Sequence, residues 1–117
     1  MPAVVDFWSA SDVLTNSTSA WSAAFDASAF FVIDLEVRVL AIATGTLRVD
    51  IESRIRADKT YRTQVKSITG IVATGPYYVQ MNAYGKDTDV FGIVRLKFDL
   101  ATGAATGVTL EAAALFK

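Results

Sequence analysis

The chain has 117 residues, of which 52% are hydrophobic and 20% charged, with 11 basic and 12 acidic side chains. This length predicts one domain that buries about two-thirds of the surface of its unfolded chain. The near balance of charge disfavours nucleic acid and anionic membranes as partners, because both call for a basic face. No stretch reaches the ~20 apolar residues that a membrane-spanning helix needs.

Cysteine and histidine are both absent from the sequence. Without them the chain can form no disulfide, thiolate metal site, Ser-His-Asp triad or imidazole base. We therefore expect a protein that is not an enzyme and has no cofactor or metal. The lack of disulfides favours assembly in a cytosol. The N-terminal residues Met1–Val5 lack the basic and apolar regions of a signal peptide.

Residues 1–29 differ in composition from the rest, because Ser, Ala and Thr dominate them. Small hydroxyl side chains compete for backbone hydrogen bonds, so we predict an extended arm with short strands near Val4–Trp8 and Ser19–Phe25. Large aromatic side chains are costly in water, so we expect them to anchor this arm on its own domain, residues 30–117, or on a neighbouring subunit. These aromatic residues are Phe7, Trp8, Trp21 and Phe25.

A two-residue alternation of apolar and polar side chains runs from Phe31 to Ile55 and pauses at Thr44-Gly45-Thr46. This period is typical of strands with one face in a core and one in water. It predicts two antiparallel strands, Phe31–Leu40 and Thr46–Arg56, joined by a short turn.

The alternation continues towards the C-terminus, with turn residues between the segments. Turns at roughly 8–15 residue intervals favour an all-β antiparallel sandwich or barrel over alternating strands and helices. We expect the last two strands to form a hairpin closed by residues 101–107. The predicted strands are Tyr61–Ile68, Tyr77–Tyr84, Val90–Leu100 and Val108–Leu115.

Each of two groups of acidic residues could have a chemical role or be an ordinary part of the protein surface. Asp34 and Glu36 could be a catalytic carboxylate pair, or a solvated face that forms cross-strand ion pairs with Arg48 and its neighbours. Asp87-Thr88-Asp89 could contribute to a calcium site, but a turn built from Gly and Asp explains it equally well.

Tyrosines and basic residues are the remaining candidates for binding. Tyr78 and Tyr84 share the parity of polar residues, so we expect them to be exposed or interfacial, and Tyr77 to be in the core. Exposed tyrosines could also stack on sugars. A basic run could meet an acidic partner or be a solvated hairpin tip; it comprises Arg54, Arg56, Lys59, Arg62 and Lys66.

From Phe31 onwards the chain resembles the small jelly-roll capsid decoration, or cement, proteins of tailed bacteriophages. Strand order and turn positions carry the resemblance, which covers about three-quarters of the chain. The segments that carry it are Phe31-Val32-Ile33-Asp34-Leu35-Glu36-Val37, the stretch 45–52, the stretch 68–79, and Gly92-Ile93-Val94-Arg95-Leu96-Lys97-Phe98.

The resemblance implies a jelly-roll-like β-sandwich that is non-enzymatic and forms homo-oligomers, with a homotrimer expected. Its partner would be the major capsid protein, and its location the outer surface of a virion assembled in the host cytoplasm. The expected interface residues are Phe7, Trp8, Trp21, Phe25, Tyr78 and Tyr84. Two other interpretations stay open: a glycan-binding module of a receptor-binding apparatus, and another head or tail structural protein.

Overall fold

The computed structural model describes residues 2–10, 19–42, 45–82, 92–101 and 108–117. Within these ranges the regular elements are antiparallel strands, which confirms the predicted all-β fold. Among the residues described, no helix is long and apolar enough to cross a membrane. The strands are β1 (Ala3–Trp8), β2 (Ser19–Trp21), β3 (Phe25–Asp26), β4 (Val32–Ile42), β5 (Thr46–Arg54), β6 (Arg62–Ile71), β7 (Gly75–Asn82), β8 (Ile93–Ala101) and β9 (Val108–Phe116).

The strands form two sheets whose order has the pattern of a jelly roll. Sheet A has the order β1-β9-β4-β7, and sheet B has the order β2-β8-β5-β6, with β3 also paired to β8. The pairs are nested: β1 with β9, β2 and β3 with β8, β4 with β7, and β5 with β6. A long antiparallel ribbon that rolls up into two facing sheets produces this nesting, which is the architecture of jelly rolls.

The core lies between the sheets and is built from the alternate, apolar residues of each strand. Leu35 and Val37 of β4 face the core from sheet A, and Leu47 of β5 faces it from sheet B. Phe116, which is 0% exposed, has the rings of Phe25 and two other phenylalanines within 6.1 Å of its centroid. Burying a side chain of this size contributes about 1.5–3 kcal/mol to folding, so these rings hold one end of the sandwich together.

Two predicted hairpins are wrong. Strands β4 and β5 lie in different sheets, and so do β8 and β9. Alternation shows that each strand has one buried face, and that condition is met equally by strands side by side in a sheet or opposed across a sandwich. The hairpin predicted between β5 and β6, by contrast, is present.

The described part of the N-terminal segment supplies strands to both sheets. Strand β1 pairs with β9, while β2 and β3 pair with β8. Between β2 and β3 the Ser22 amide donates to the carbonyl of Leu96, and the Leu96 amide donates to the Ser22 hydroxyl, both at 2.9 Å. The serine therefore continues the edge of sheet B where the strand pairing is interrupted, which explains the hydroxyl-rich composition locally.

A β-bulge in β1 turns two consecutive aromatic side chains inwards. The register with β9 shifts between Asp6 and Trp8. As a result Phe7 packs on the Phe116 ring, while Trp8 lies 4.8 Å from the ring centroid of Phe98. Bulges commonly re-aim a side chain in this way. These two aromatic residues hold β1 on the sandwich of its own chain.

Candidate functional site

The two sheets present opposite outer faces with different chemistry. We call the outer face of sheet B the ladder face, because aromatic rings and guanidinium groups alternate across it. We call the outer face of sheet A the groove face, because a hollow crosses its middle. Both faces consist of the alternate, polar residues of strands whose apolar residues fill the core.

Glu52 of β5 is the centre of the ladder face. Its side chain is 2% exposed although it points away from the core, because neighbouring side chains cover it. Its Oε1 accepts hydrogen bonds from Arg95 Nε at 2.8 Å and Trp21 Nε1 at 3.2 Å. A buried carboxylate is tolerated only when it is paired and hydrogen-bonded. Arg95 meets that requirement from the neighbouring strand β8, and Trp21 from β2 on the far side of β8.

The cations of this face stack on its rings. Arg95 Cζ lies 3.7 Å from the centroid of Tyr61 and 5.6 Å from that of Trp21. Arg54 Cζ lies 4.5 Å from Tyr61, and Lys97 Nζ lies 5.5 Å from Trp21. Cation–π contacts contribute about 0.5–1 kcal/mol each at exposed sites. They fix the long basic side chains over the sheet.

A second carboxylate of the ladder face is held in the same manner. Asp50 is 1% exposed, and its Oδ1 accepts from Arg48 Nε at 2.9 Å and from the Ser67 hydroxyl. Beside it, Lys97 Nζ lies 3.6 Å from an oxygen of Asp99. These carboxylates all have partners within the same sheet. Each of these three carboxylates, Glu52, Asp50 and Asp99, therefore has a cation of the same sheet beside it.

The groove face is organised in cross-strand rows. One row runs Val4, Leu115, Asp34 and Gln80 across β1, β9, β4 and β7; the next runs Asp6, Ala113, Glu36 and Tyr78. Ala113 is small and lies between larger neighbours. The hollow over it is a shallow groove of about 510 Å³, whose lining includes Val4, Tyr78 and Leu115.

Apolar side chains on both margins of the groove remain open to solvent. Val4 is 72% exposed on edge strand β1, and Tyr78 is 68% exposed on edge strand β7. An adjoining hollow of about 380 Å³ shares Glu36 and Ala113 with the groove and is lined by further carboxylates. The groove is thus apolar at its centre and acidic beside it.

The acidic pair predicted on β4 has partners from sheet A itself. Asp34 accepts a hydrogen bond from Gln80 Nε2 at 2.6 Å and lies 3.0 Å from Lys117 Nζ. The Gln80 hydrogen bond is the largest cause that lowers the pKa of Asp34 below its usual 3.8, and the Lys117 hydrogen bond is the next. Glu36 lies 3.2 Å from Arg38 of the same strand. The cross-strand pairing expected with Arg48 is wrong, because β5 belongs to the other sheet.

No group of three or more acidic side chains able to hold a metal ion occurs among the residues described. The Asp87-Thr88-Asp89 segment lies outside the described residues, as does Tyr84. Nothing is therefore added to the prediction made for either.

The structure separates the aromatic residues that the sequence grouped as an interface. Phe7 is 8% exposed, and Trp8 and Phe25 pack against the core, so their rings contact their own chain. Trp21 is 47% exposed on the ladder face, and Tyr78 is exposed on the groove face. Phe7, Trp8 and Phe25 pack on their own chain because β1 and β3 are strands of the sandwich. An interface role for the predicted residues stays a prediction.

Sequence reasoning missed the groove. Its apolar members Val4 and Leu115 belong to strands far apart in sequence, and only the β1–β9 pairing brings them together. The available signal was Ala113, a small residue at an outward position of a well-defined strand. A small outward residue between larger ones leaves a hollow, but its depth depends on the neighbouring strands.

No model of a known protein family matches the chain, and no curated protein matches it. Among solved structures, the SPBc2 prophage-derived protein YomS overlaps with a TM-score of 0.49 at 9% sequence identity. The overlap covers 99% of this chain and 94% of that protein. A likeness at this level carries no argument about what the chain does.

Proposed function

We propose that the chain is a non-enzymatic structural protein of a bacteriophage virion, which decorates the outer surface of the capsid. Support comes from the segments that resemble decoration proteins. They cover the first part of β4, most of β5, the end of β6, the first part of β7 and the first part of β8, which belong to both sheets of the jelly roll. Jelly rolls are frequent in viral capsid proteins, although the architecture alone does not define a function.

The observation that carries the proposal is the open apolar groove on sheet A. Val4 and Tyr78 remain about 70% exposed on either side of Ala113. Exposed apolar side chains around a hollow favour the binding of another protein. Burial contributes about 25 cal/mol per Å² of apolar surface, and this gain is repeated over the many copies of a virion shell.

The residue types agree with an assembly role. The chain has no histidine and no cysteine, and four carboxylates of the two faces each lie beside a cation: Asp34, Glu36, Asp50 and Glu52. A general acid or base needs to reach a substrate proton. We accordingly propose no reaction for this protein.

The test uses virus particles. Particles assembled without the chain are mixed with purified wild-type protein or with Tyr78→Ala, and the bound copies are counted by cryo-electron microscopy. We expect saturable decoration by wild type and a loss of about tenfold in affinity for Tyr78→Ala, as for an aromatic interface residue. Thr69→Ala, an exposed change on β6, is the matched control. Absence of the chain from purified virions, by mass spectrometry, would contradict the proposal.

Glycan binding is the second candidate, and one observation favours it. The exposed ring of Tyr78 adjoins planar polar groups of Asp34, Glu36 and Gln80, a combination suited to stacking on a sugar and bonding its hydroxyls. A glycan array gives the test. Saturable binding that Tyr78→Ala abolishes and Thr69→Ala preserves would favour this function over decoration.

A further inference from the structure

We infer that the groove on sheet A binds the hairpin tip between β5 and β6 of a second copy of this chain. This inference rests on the proposed function and sharpens it: the groove would bind a neighbouring copy of the chain on the capsid surface. We call residues 54–62 the basic tip. The argument depends on charge, exposed apolar surface, rigidity and the positions of the two surfaces.

The charges of the two surfaces are opposite. The basic tip carries four cations and a single carboxylate. The groove face carries four carboxylates on its described outward positions, against the two cations Arg38 and Lys117. Opposite potentials favour encounter and fix the register of an interface. The carboxylates are Asp6, Asp34, Glu36 and Glu111; the cations of the tip are Arg54, Arg56, Lys59 and Arg62.

The tip presents an exposed apolar side chain where it leaves β5. Ile55 is 69% exposed and stands between Arg54 and Arg56 in sequence. On the other surface, the exposed apolar side chains of Val4 and Tyr78 lie beside the hollow over Ala113. An isoleucine placed in that hollow would be covered by apolar groups. The exposed cations of the tip, Lys59 and Arg56, would meet the acidic positions, although Arg56 also pairs with Asp58 within the tip at 2.8 Å.

The tip is held in one conformation before it meets a partner. Arg54 donates from a terminal guanidinium nitrogen to the carbonyl of Ala57 at 3.0 Å, and the Lys59 amide donates to the carbonyl of Arg56 at 3.0 Å. Tyr61 stacks on Arg54 at the end of the loop. A preorganised loop loses little conformational entropy on binding.

A glycine fixes the base of the tip. Gly92 has φ of 130°, and a Cβ added there would lie 2.4 Å from the carbonyl oxygen of Arg54. Only glycine allows this close approach of the segment before β8 to the end of β5. The segment before β8 therefore packs against the base of the tip and supports it.

The positions of tip and groove determine the symmetry of the contact. The tip extends from one end of sheet B, whereas the groove crosses the outer face of sheet A. A contact between different surfaces of identical chains is heterologous, so it closes into a ring or continues as a filament. For a virion component we propose a closed ring of few copies, consistent with the trimer expected from the resemblance.

Charge reversal tests the inference. Light scattering after size exclusion measures the mass of wild type, of Arg56→Glu/Lys59→Glu, of Glu36→Lys, and of a chain that combines the three changes. We expect wild type at a discrete multiple of 12.6 kDa. Either reversal alone should weaken association by about tenfold or more, and the combined chain should recover the wild-type mass. Thr69→Glu is the control for charge change elsewhere, and circular dichroism confirms that each variant is folded.

The outcomes separate this inference from the proposed function. A wild-type protein that stays monomeric up to its solubility limit overturns the inference, and so does an oligomer that neither reversal affects. Decoration of particles is measured independently and stands or falls on its own result. A charge-dependent ring that does not bind particles would contradict the proposed function and leave the inference intact.

Discussion

The ladder face and the groove face begin from the same sequence pattern and end with different properties. Both consist of the alternate, polar residues of half-buried strands, and both carry carboxylates and cations. On the ladder face Glu52 and Asp50 are covered and each is bonded to an arginine of the same sheet. On the groove face Val4 and Tyr78 remain exposed around a small alanine.

The comparison teaches that a polar face is not by itself a binding face. Where long cations stack on rings over buried carboxylates, the groups stabilise the fold and leave little for a partner to satisfy. Where a small residue lies between exposed apolar side chains, apolar surface remains in contact with water, and a partner can bury it. Variants of matched residues on the two faces test this distinction.

The largest expected effect is the loss of the arginine that covers Glu52. Arg95→Ala would leave a 2% exposed carboxylate without its cation, which costs about 3 kcal/mol of unfolding free energy. Arg38→Ala on the groove face removes a cation whose side chain is 52% exposed, with an expected cost below about 0.5 kcal/mol. Urea denaturation measures both. Equal costs would show that the ladder face is no better locked than the groove face.

The two tyrosines give the next largest contrast. Tyr61→Ala removes a ring that contacts both Arg95 and Arg54, so we expect a loss of about 1–2 kcal/mol. Tyr78→Ala removes an exposed ring and should change stability by less than about 0.5 kcal/mol. Thermal and urea unfolding of both variants make the measurement. A Tyr78 variant as unstable as the Tyr61 variant would refute the assignment of Tyr78 to a free surface.

Trp21 separates packing from hydrogen bonding on the ladder face. Trp21→Phe retains an aromatic ring but loses the indole donor to Glu52, and we expect a cost of about 1 kcal/mol. Trp21→Ala serves as the comparison, because it removes the ring as well. If the two variants are equally stable, the ring contributes nothing beyond the hydrogen bond. If Trp21→Phe equals wild type, the hydrogen bond is not a stabilising contact.

The smallest expected effect is the pH dependence due to Asp34. Its pKa is lowered in the folded state from the usual 3.8, chiefly by Gln80 and then by Lys117. The stabilisation is therefore present above pH 3.8 and is lost as the pH falls through the folded-state pKa. Because the group is exposed, wild type should exceed Asp34→Asn by less than about 0.5 kcal/mol near pH 7. Urea denaturation near pH 7 and at a pH below the folded-state pKa measures the difference in stability between wild type and Asp34→Asn. We expect this difference to disappear in acid.

The local structure followed closely from the sequence. Alternation placed β4, β5, β6, β8 and β9 within a few residues of their observed bounds, and the gap between the predicted strands Thr46–Arg56 and Tyr61–Ile68 falls at the β5–β6 hairpin. Parity also placed Tyr77 against the core and Tyr78 in solvent. These properties depend on periods of two residues and on turn chemistry, which neighbouring residues determine.

Strand partners and the open groove were decided only by the tertiary structure. The same alternation fits β4 and β5 as neighbours or as opposed strands, and the nested ribbon selects the second arrangement. The groove joins Val4, Ala113 and Tyr78 from three strands, so no local pattern could reveal it. Glu52 is likewise buried only because the fold places Trp21 and Arg95, which are distant in sequence, beside it. Adjacent residues determined which side of each strand is apolar, whereas long-range pairing determined which polar side is closed and which is open.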